Sequence, residues 1–335
     1  MALRSSDHIP ERPLSGPAHV VLVPRPPYNF QGSFFKPSHF RTTDSLAEER
    51  TRWQTVRTDG RLFGLRISGN DDAWHPRISV SVYGERNVPR SRRTGLVELV
   101  KRRFDMESDI TRFFQLVKRT PRGRRTLLRW MGSRPTCAYG LYELLVILIC
   151  LQNAQVRRTE SMMQHLFEAY GHRVRFGGRS LWAFWEAKDL VGQEDRLREL
   201  RLGYRARSLE RLSRYFVGAT TGLEARLWTL PDEKLVTTLR QIPGVGPATA
   251  QGLMFDYFHR YDSLACLAPW ETKIFRRLLR EPSASSADLV SLARRTWPGY
   301  SMLALHILFE DQFWRMREGL PNVLAGVSTP QRVDP

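Results

Sequence analysis

The stretch "LRQIPGVGPATAQGLMFDYFHRYDSLACLAPWETKIFRR", Leu239–Arg277, decides the fold. Apolar residues at helical spacing lead into Pro243, whose ring removes a backbone donor and ends a helix. Gly244 and Gly246 flank Val245 in a Pro-Gly-x-Gly turn, where glycine opens backbone conformations that other residues resist. A second helix starts at Ala248 and Thr249, with its unpaired N–H groups and positive dipole end directed out of the turn. Such a helix-hairpin-helix offers backbone donors to one phosphate oxygen, with no side chain required. Farther along, "APWE" sets Glu271 at the start of another helix. A carboxylate there can complement the helix dipole, or it can face a reacting centre.

The composition surrounding this stretch favours a polyanionic partner. The chain has 335 residues and a formal net charge of +18, carried almost wholly by arginine. Arginine makes bidentate contacts to phosphates and bases, and a large positive balance draws a protein to nucleic acid or an anionic surface. With 41% hydrophobic residues the chain can bury a substantial core. Cys137, Cys150 and Cys266 are few, odd in number and without C-x-x-C spacing, so no disulfide framework, zinc site or iron–sulfur cluster is expected. The expected setting is intracellular and reducing. The opening residues lack an apolar signal core, and the longest apolar run, residues 141–151, includes Glu143 and is too short to span a bilayer.

Outward from the hairpin, the pattern divides the chain into four parts. Residues 1–16 read as a flexible lead-in and 17–105 as a small α+β domain with strands in "HVVLV" (19–23), "RLFGLRIS" (61–68) and "RISVSVYG" (77–84). A helical pattern over 94–104 closes that domain. Residues 106–319 read as helices with short breaks, and 320–335 as a flexible tail. The apolar run at 141–151 predicts the central buried helix, and 172–195 reads as a looser stretch rich in Trp and Phe. The fold class is mainly α with an N-terminal α+β domain.

The hairpin followed by Pro269 and Glu271 resembles the helix-hairpin-helix (HhH-GPD) DNA glycosylase superfamily, whose branches include 3-methyladenine DNA glycosylase II and 8-oxoguanine DNA glycosylase. The resemblance covers about 17–315. It implies double-stranded DNA with a damaged base as partner, a monomer, base flipping, and no organic cofactor; family hairpins can hold a monovalent cation through backbone carbonyls. It implies that Glu271 supports cleavage of an N-glycosidic bond, although the family has Asp there. Ala248 stands where bifunctional members carry a nucleophilic lysine, which implies a monofunctional enzyme that leaves an abasic site. Gly244, Val245, Gly246, Ala248 and Thr249 fall on the phosphate-binding hairpin.

Asn153, with Gln152 beside it, falls on the residue that fills the gap left by the flipped base, with helix capping as the local alternative. "LRLGYRARSLERL" (200–212) resembles the 8-oxoguanine branch, which implies that Asn153, Arg158 and Arg205 fall on the residues that read the cytosine opposite the lesion and that Tyr204 falls on the neighbouring wedge. "YSMLALHIL" (300–308) resembles the alkylpurine branch instead, where the segment walls the base pocket, while His306 reads as a satisfied core residue. Trp182 and Trp185 are candidate stacking surfaces for an extruded base, against the alternative of ordinary core. Asp256 and Asp262 are reserve carboxylates that look structural by position. Oxidised and alkylated purines both remain open as the lesion, as does a damage-binding protein without catalysis or a general nucleic-acid-binding scaffold.

Overall fold

The computed structural model describes residues 10–40, 42–58, 60–219 and 222–324. A five-stranded antiparallel sheet has the order β2-β6-β5-β4-β3, from β2 (Ser15–Leu22), β3 (Ser45–Glu48), β4 (Thr51–Thr58), β5 (Arg61–Gly69) and β6 (Ile78–Gly84). A second sheet places β1 (Glu11–Pro13) parallel to β7 (His172–Phe176), which pairs antiparallel with β8 (Arg179–Ala183). The helices are α1 (Phe30–Phe34), α2 (Arg90–Arg103), α3 (Thr111–Arg119), α4 (Arg124–Arg129), α5 (Leu141–Leu151), α6 (Val156–Tyr170), α7 (Glu194–Glu199), α8 (Arg205–Gly218), α9 (Leu223–Trp228), α10 (Asp232–Leu239), α11 (Pro247–Gly252), α12 (Pro269–Leu279), α13 (Ser286–Thr296) and α14 (Ser301–Arg317). A π-helical turn, Leu253–Tyr257, continues α11.

Strand alternation sets which face of the large sheet is buried. Cross-strand pairs Leu65–Val82 and Ile67–Val80 direct their side chains into one core with Phe34, Phe104 and Phe113. Trp53, Leu62 and Tyr83 belong to a smaller core completed by Leu14, Val174 and Phe176. Phe176 lies so close to β5 that a Cβ at Gly64 would meet its ring at 2.4 Å. That contact seats the β7–β8 hairpin on the large sheet.

The helices divide between two cores. Helices α3, α4, α12, α13 and α14 share the first core with the sheet, through residues such as Leu127, Ile274, Leu289, Trp297 and Leu303. A separate core gathers α5, α6, α8, α10 and α11 around Leu145, Phe167, Leu209, Leu239 and Leu253. Three expectations change. Residue 105 is no boundary in packing, because Phe104, Met106 and Ile110 all enter the same core. The stretch from 172 contains β7 and β8, joined at Gly177 and Gly178, both with positive φ. Residues 11–13 and 15–16 of the expected lead-in belong to β1 and β2, while residues 1–9 lie outside the described residues.

The C-terminal end is also better held than expected. Arg277 donates to Val323 O at 2.8 Å, Val323 N donates to Gln312 Oε1 at 3.1 Å, and Leu324 is buried. The rest of the expected tail, 325–335, lies outside the described residues.

Candidate functional site

The hairpin lies at the edge of the helical core. Gly244 has φ +88°, the left-handed region, and a Cβ on it would come within 2.8 Å of Ile149 Cδ1. Gly246 differs: its φ of −88° suits any residue, and a Cβ there would meet nothing within 4 Å. Only the first glycine is therefore required by conformation. Val245 is buried, and its N–H donates to Ile242 O at 3.1 Å, closing the turn. Pro247 starts α11 with no N–H to lose, so the orphan donors of the first turn belong to Ala248 and Thr249. Ala248 is exposed and Thr249 half-buried, so this turn presents backbone to solvent.

The end of α5 holds the hairpin and orders its neighbours. Gln152 caps α5, and its Nε2 donates to Gly244 O at 3.0 Å. Arg205 is only 3% exposed; Nε donates to Ile149 O at 3.2 Å and the guanidinium also bonds Gln152 O. It neutralises the negative end of the α5 dipole, so its expected role at a DNA base is corrected to that of a buried helix cap. Tyr204 is 58% exposed, stacks over the Arg205 guanidinium and donates to Gln152 O at 3.2 Å. Asn153 is exposed at φ +49°, a conformation that asparagine tolerates better than most residues, and Arg158 is exposed on the first turns of α6. Hairpin, Gln152, Asn153 and Tyr204 thus form one continuous ledge.

Glu271 occupies the first turn of α12. Its Oε2 accepts from Ala268 N at 2.7 Å, so it caps its own helix. Burial raises its carboxyl above the ordinary range, and that bond partly offsets the rise. The loop before it is tied to the hairpin helix: Gln251 Oε1 accepts from Ala265 N at 2.7 Å and Cys266 N at 2.9 Å, and Nε2 donates to Cys266 O at 3.1 Å. Hairpin and carboxylate are in this way parts of one braced unit. Trp270, next to Glu271, packs its ring 5.7 Å from Phe309 on α14.

Trp182 and Trp185 do not join this unit. They are 6% and 1% exposed and pack around Phe167 in the helical core, with Trp185 Nε1 donating to Tyr142 Oη at 3.3 Å. Their expected place in a base pocket is corrected to core packing, since neither ring presents a free face. Asp262 caps α14, accepting from Ser301 N at 3.1 Å, as its position suggested. Lys273 is exposed.

Sequence reasoning named Asp256 and His306 singly but missed their grouping with Lys36 and His39 where the two cores meet. Lys36 Nζ lies 3.8 Å from Asp256 Oδ1, bridging the loop after α1 and the π-helical turn. His39 is exposed, yet desolvation and the Lys36 and Arg52 charges push its imidazole down to about 3. His306 is half-buried and held well below the ordinary histidine range, first by desolvation and then by Lys36. Its ring meets Phe255 at 5.0 Å. These side chains gather where the loop after α1, the π-helical turn and α14 meet. Among the described residues, no cluster of three or more His, Cys, Asp or Glu is arranged to hold a metal ion, and no helix is long and apolar enough to cross a membrane.

The architecture matches known structures over nearly its full length. A 3-methyladenine DNA glycosylase from Archaeoglobus fulgidus superposes with a TM-score of 0.70, covering 88% of this chain and 99% of that one at 15% identity. The chain has the helix-hairpin-helix DNA glycosylase fold. An 8-oxoguanine glycosylase/lyase from Clostridium acetobutylicum, in its apo form, has a TM-score of 0.66 at 18% identity, covering 89% of this chain and 97% of that one. The same enzyme in complex with duplex DNA containing cytosine opposite 8-oxoguanine has a TM-score of 0.65 at 17% identity, covering 92% and 99%. In sequence, a DNA-3-methyladenine glycosylase of Bacillus subtilis (strain 168) is 24% identical over 236 residues, 66% of this chain and 74% of that protein. No family model matches the chain.

Proposed function

We propose that the chain is a monofunctional DNA N-glycosylase, which extrudes a damaged purine, alkylated or oxidised, and hydrolyses its bond to deoxyribose. The observation that carries this reading is the brace between the hairpin helix and the loop into α12, which fixes a desolvated Glu271 relative to a turn with exposed backbone donors. Ala248 and Thr249 N–H groups engage a phosphate and set register. Asn153 and Tyr204 enter the space that the base vacates. As the C–N bond lengthens, positive charge builds on the sugar, and the Glu271 carboxylate stabilises it and orients the attacking water. Ala248 provides no amine for a covalent adduct, so hydrolysis leaves an abasic site. The expected carriers of charge along the backbone are exposed arginines, Arg158 among them. A monovalent cation at the hairpin carbonyls would share this site with Gln152, which already donates to Gly244 O.

A second reading, a damage-binding protein without catalysis, draws support from one contact. Glu271 already accepts the Ala268 N–H, as a purely structural cap would. Duplexes with single lesions, incubated with wild type and Glu271→Gln and then resolved with and without alkali, separate the two. The enzyme reading expects breaks that appear only after alkali and vanish in the variant. Tight binding to an abasic analogue, with no breaks on any lesion, favours the binding reading.

A further inference from the structure

Ala248, Gly252 and Asp256 recur along the continuous helical run from Pro247 to Tyr257, so they share one face of it. Ala248 is exposed, and a Cβ added at Gly252 would meet nothing within 4 Å. Two small residues therefore leave open space leading from the hairpin to Asp256. The side chain of Asp256 is 35% accessible, so it is reached from this face of the helix, while its Oδ1 is itself buried. Across from it stands Lys36, whose side chain is 5% accessible. The pair is 3.8 Å apart, beyond a direct hydrogen bond, and Asp256 Oδ1 has no hydrogen-bond partner among the described residues. Lys36 Nζ donates to Thr136 O at 3.3 Å, which leaves N–H groups over. A buried acceptor without a donor is costly unless something is meant to meet it.

We propose that Lys36 and Asp256 read the edge of the extruded base, selecting an uncharged purine that carries an N–H beside a carbonyl. This rests on the glycosylase fold and on the base-flipping reading above. Lys36 donates to the carbonyl oxygen, and Asp256 accepts the adjacent N–H. The opposite charges of the pair leave no net charge to attract a cationic alkylpurine. His39 and His306, held neutral by desolvation, add none. Oxidised and deaminated purines of the 6-oxo type fit this description; undamaged guanine has the same edge, so the pair sorts extruded 6-oxopurines from alkylated adenines and leaves the rejection of intact guanine to the extrusion step. An etheno-bridged adenine does not, because its blocked edge leaves Asp256 without a donor.

The test compares affinities, so it does not depend on turnover. In a Glu271→Gln background, binding is measured to duplexes carrying 8-oxoguanine, hypoxanthine, 1,N6-ethenoadenine, 3-methyladenine or a tetrahydrofuran abasic analogue, each relative to undamaged duplex. The measurement is repeated with Lys36→Met and with Asp256→Ala. The expected result is a preference for 8-oxoguanine or hypoxanthine that falls by about tenfold or more in both variants, as loss of a hydrogen bond to a charged group implies. Affinity for the abasic analogue, which presents no base to the pair, stays unchanged and verifies folding. The proposal is overturned if ethenoadenine or 3-methyladenine is preferred, or if the variants leave the preference intact or weaken all duplexes alike. Absence of base release by wild type, with the preference still dependent on the pair, would instead defeat the glycosylase reading alone.

Discussion

Replacing Gly244 by alanine tests how the hairpin is built. The backbone at φ +88° costs an L-residue about 1–2 kcal/mol. The new Cβ would also stand 2.8 Å from Ile149 Cδ1 and 3.1 Å from Cγ1. Ile149 is 1% exposed in the helical core and cannot swing away, so overpacking adds about 1–3 kcal/mol. The expected total is about 2–5 kcal/mol, read from denaturant unfolding. Two companions separate the terms. Gly244→Ala combined with Ile149→Val removes Cδ1 and should recover part of the overpacking cost, giving a favourable coupling in a double-mutant cycle. Gly246→Ala, at φ −88° with open space, should be neutral or slightly stabilising. Affinity for an abasic-analogue duplex should fall in Gly244→Ala and hold in Gly246→Ala. Equal stabilities for the two alanine variants, or no coupling with Ile149→Val, would refute this account of the turn.

Arg205→Met should destabilise the fold by about 2–3 kcal/mol, because the carbonyls of Ile149 and Gln152 lose a charged donor; a loss of DNA affinity at unchanged stability would contradict the capping role. Arg158→Ala should leave unfolding unchanged and make DNA binding less steeply dependent on salt, by a slope of about one, in a salt titration. Ser38 donates to the buried Glu310, whose carboxyl burial raises from 4.5 to about 7. Its protonated form is favoured in the folded state, so this contribution is full below 4.5 and lost as pH rises through about 7. His39 opposes it at lower pH, so the difference between wild type and Glu310→Gln is the readout: the variant should gain stability relative to wild type as pH rises across that window. Because burial raises Glu271 above 4.5, base release should climb with pH through a midpoint above that value in single-turnover rates.

The hairpin and the position of Glu271 were legible because both are local: a turn residue pattern and a helix start are written in neighbouring residues. The strands of the large sheet were legible where β-branched residues cluster, as in β5 and β6, and less so in β4, where Thr, Arg and Gln interrupt the pattern. The β7–β8 hairpin carried a usable signal in Gly177-Gly178, between two alternating runs, which the neighbouring aromatic residues obscured. Arg205 was misread because sequence cannot distinguish an arginine that reaches outward from one turned back onto a helix end. Trp182 and Trp185 were misread for the matching reason, as an aromatic side chain suits a pocket wall and a core equally. The Lys36–Asp256 pair was beyond reach: its members lie far apart in sequence, and only the tertiary fold brings the loop after α1 to the π-helical turn.

The central claim is that this fold breaks an N-glycosidic bond through Glu271. Its most direct test is mass-spectrometric detection of free bases released from DNA that has been separately methylated, oxidised or deaminated, with wild type and Glu271→Gln side by side. The account predicts a modified purine released by wild type, absent with the variant, and an unbroken strand until alkali is added. Release of no base by wild type from any of the treated DNAs, with abasic-analogue binding intact, would contradict it.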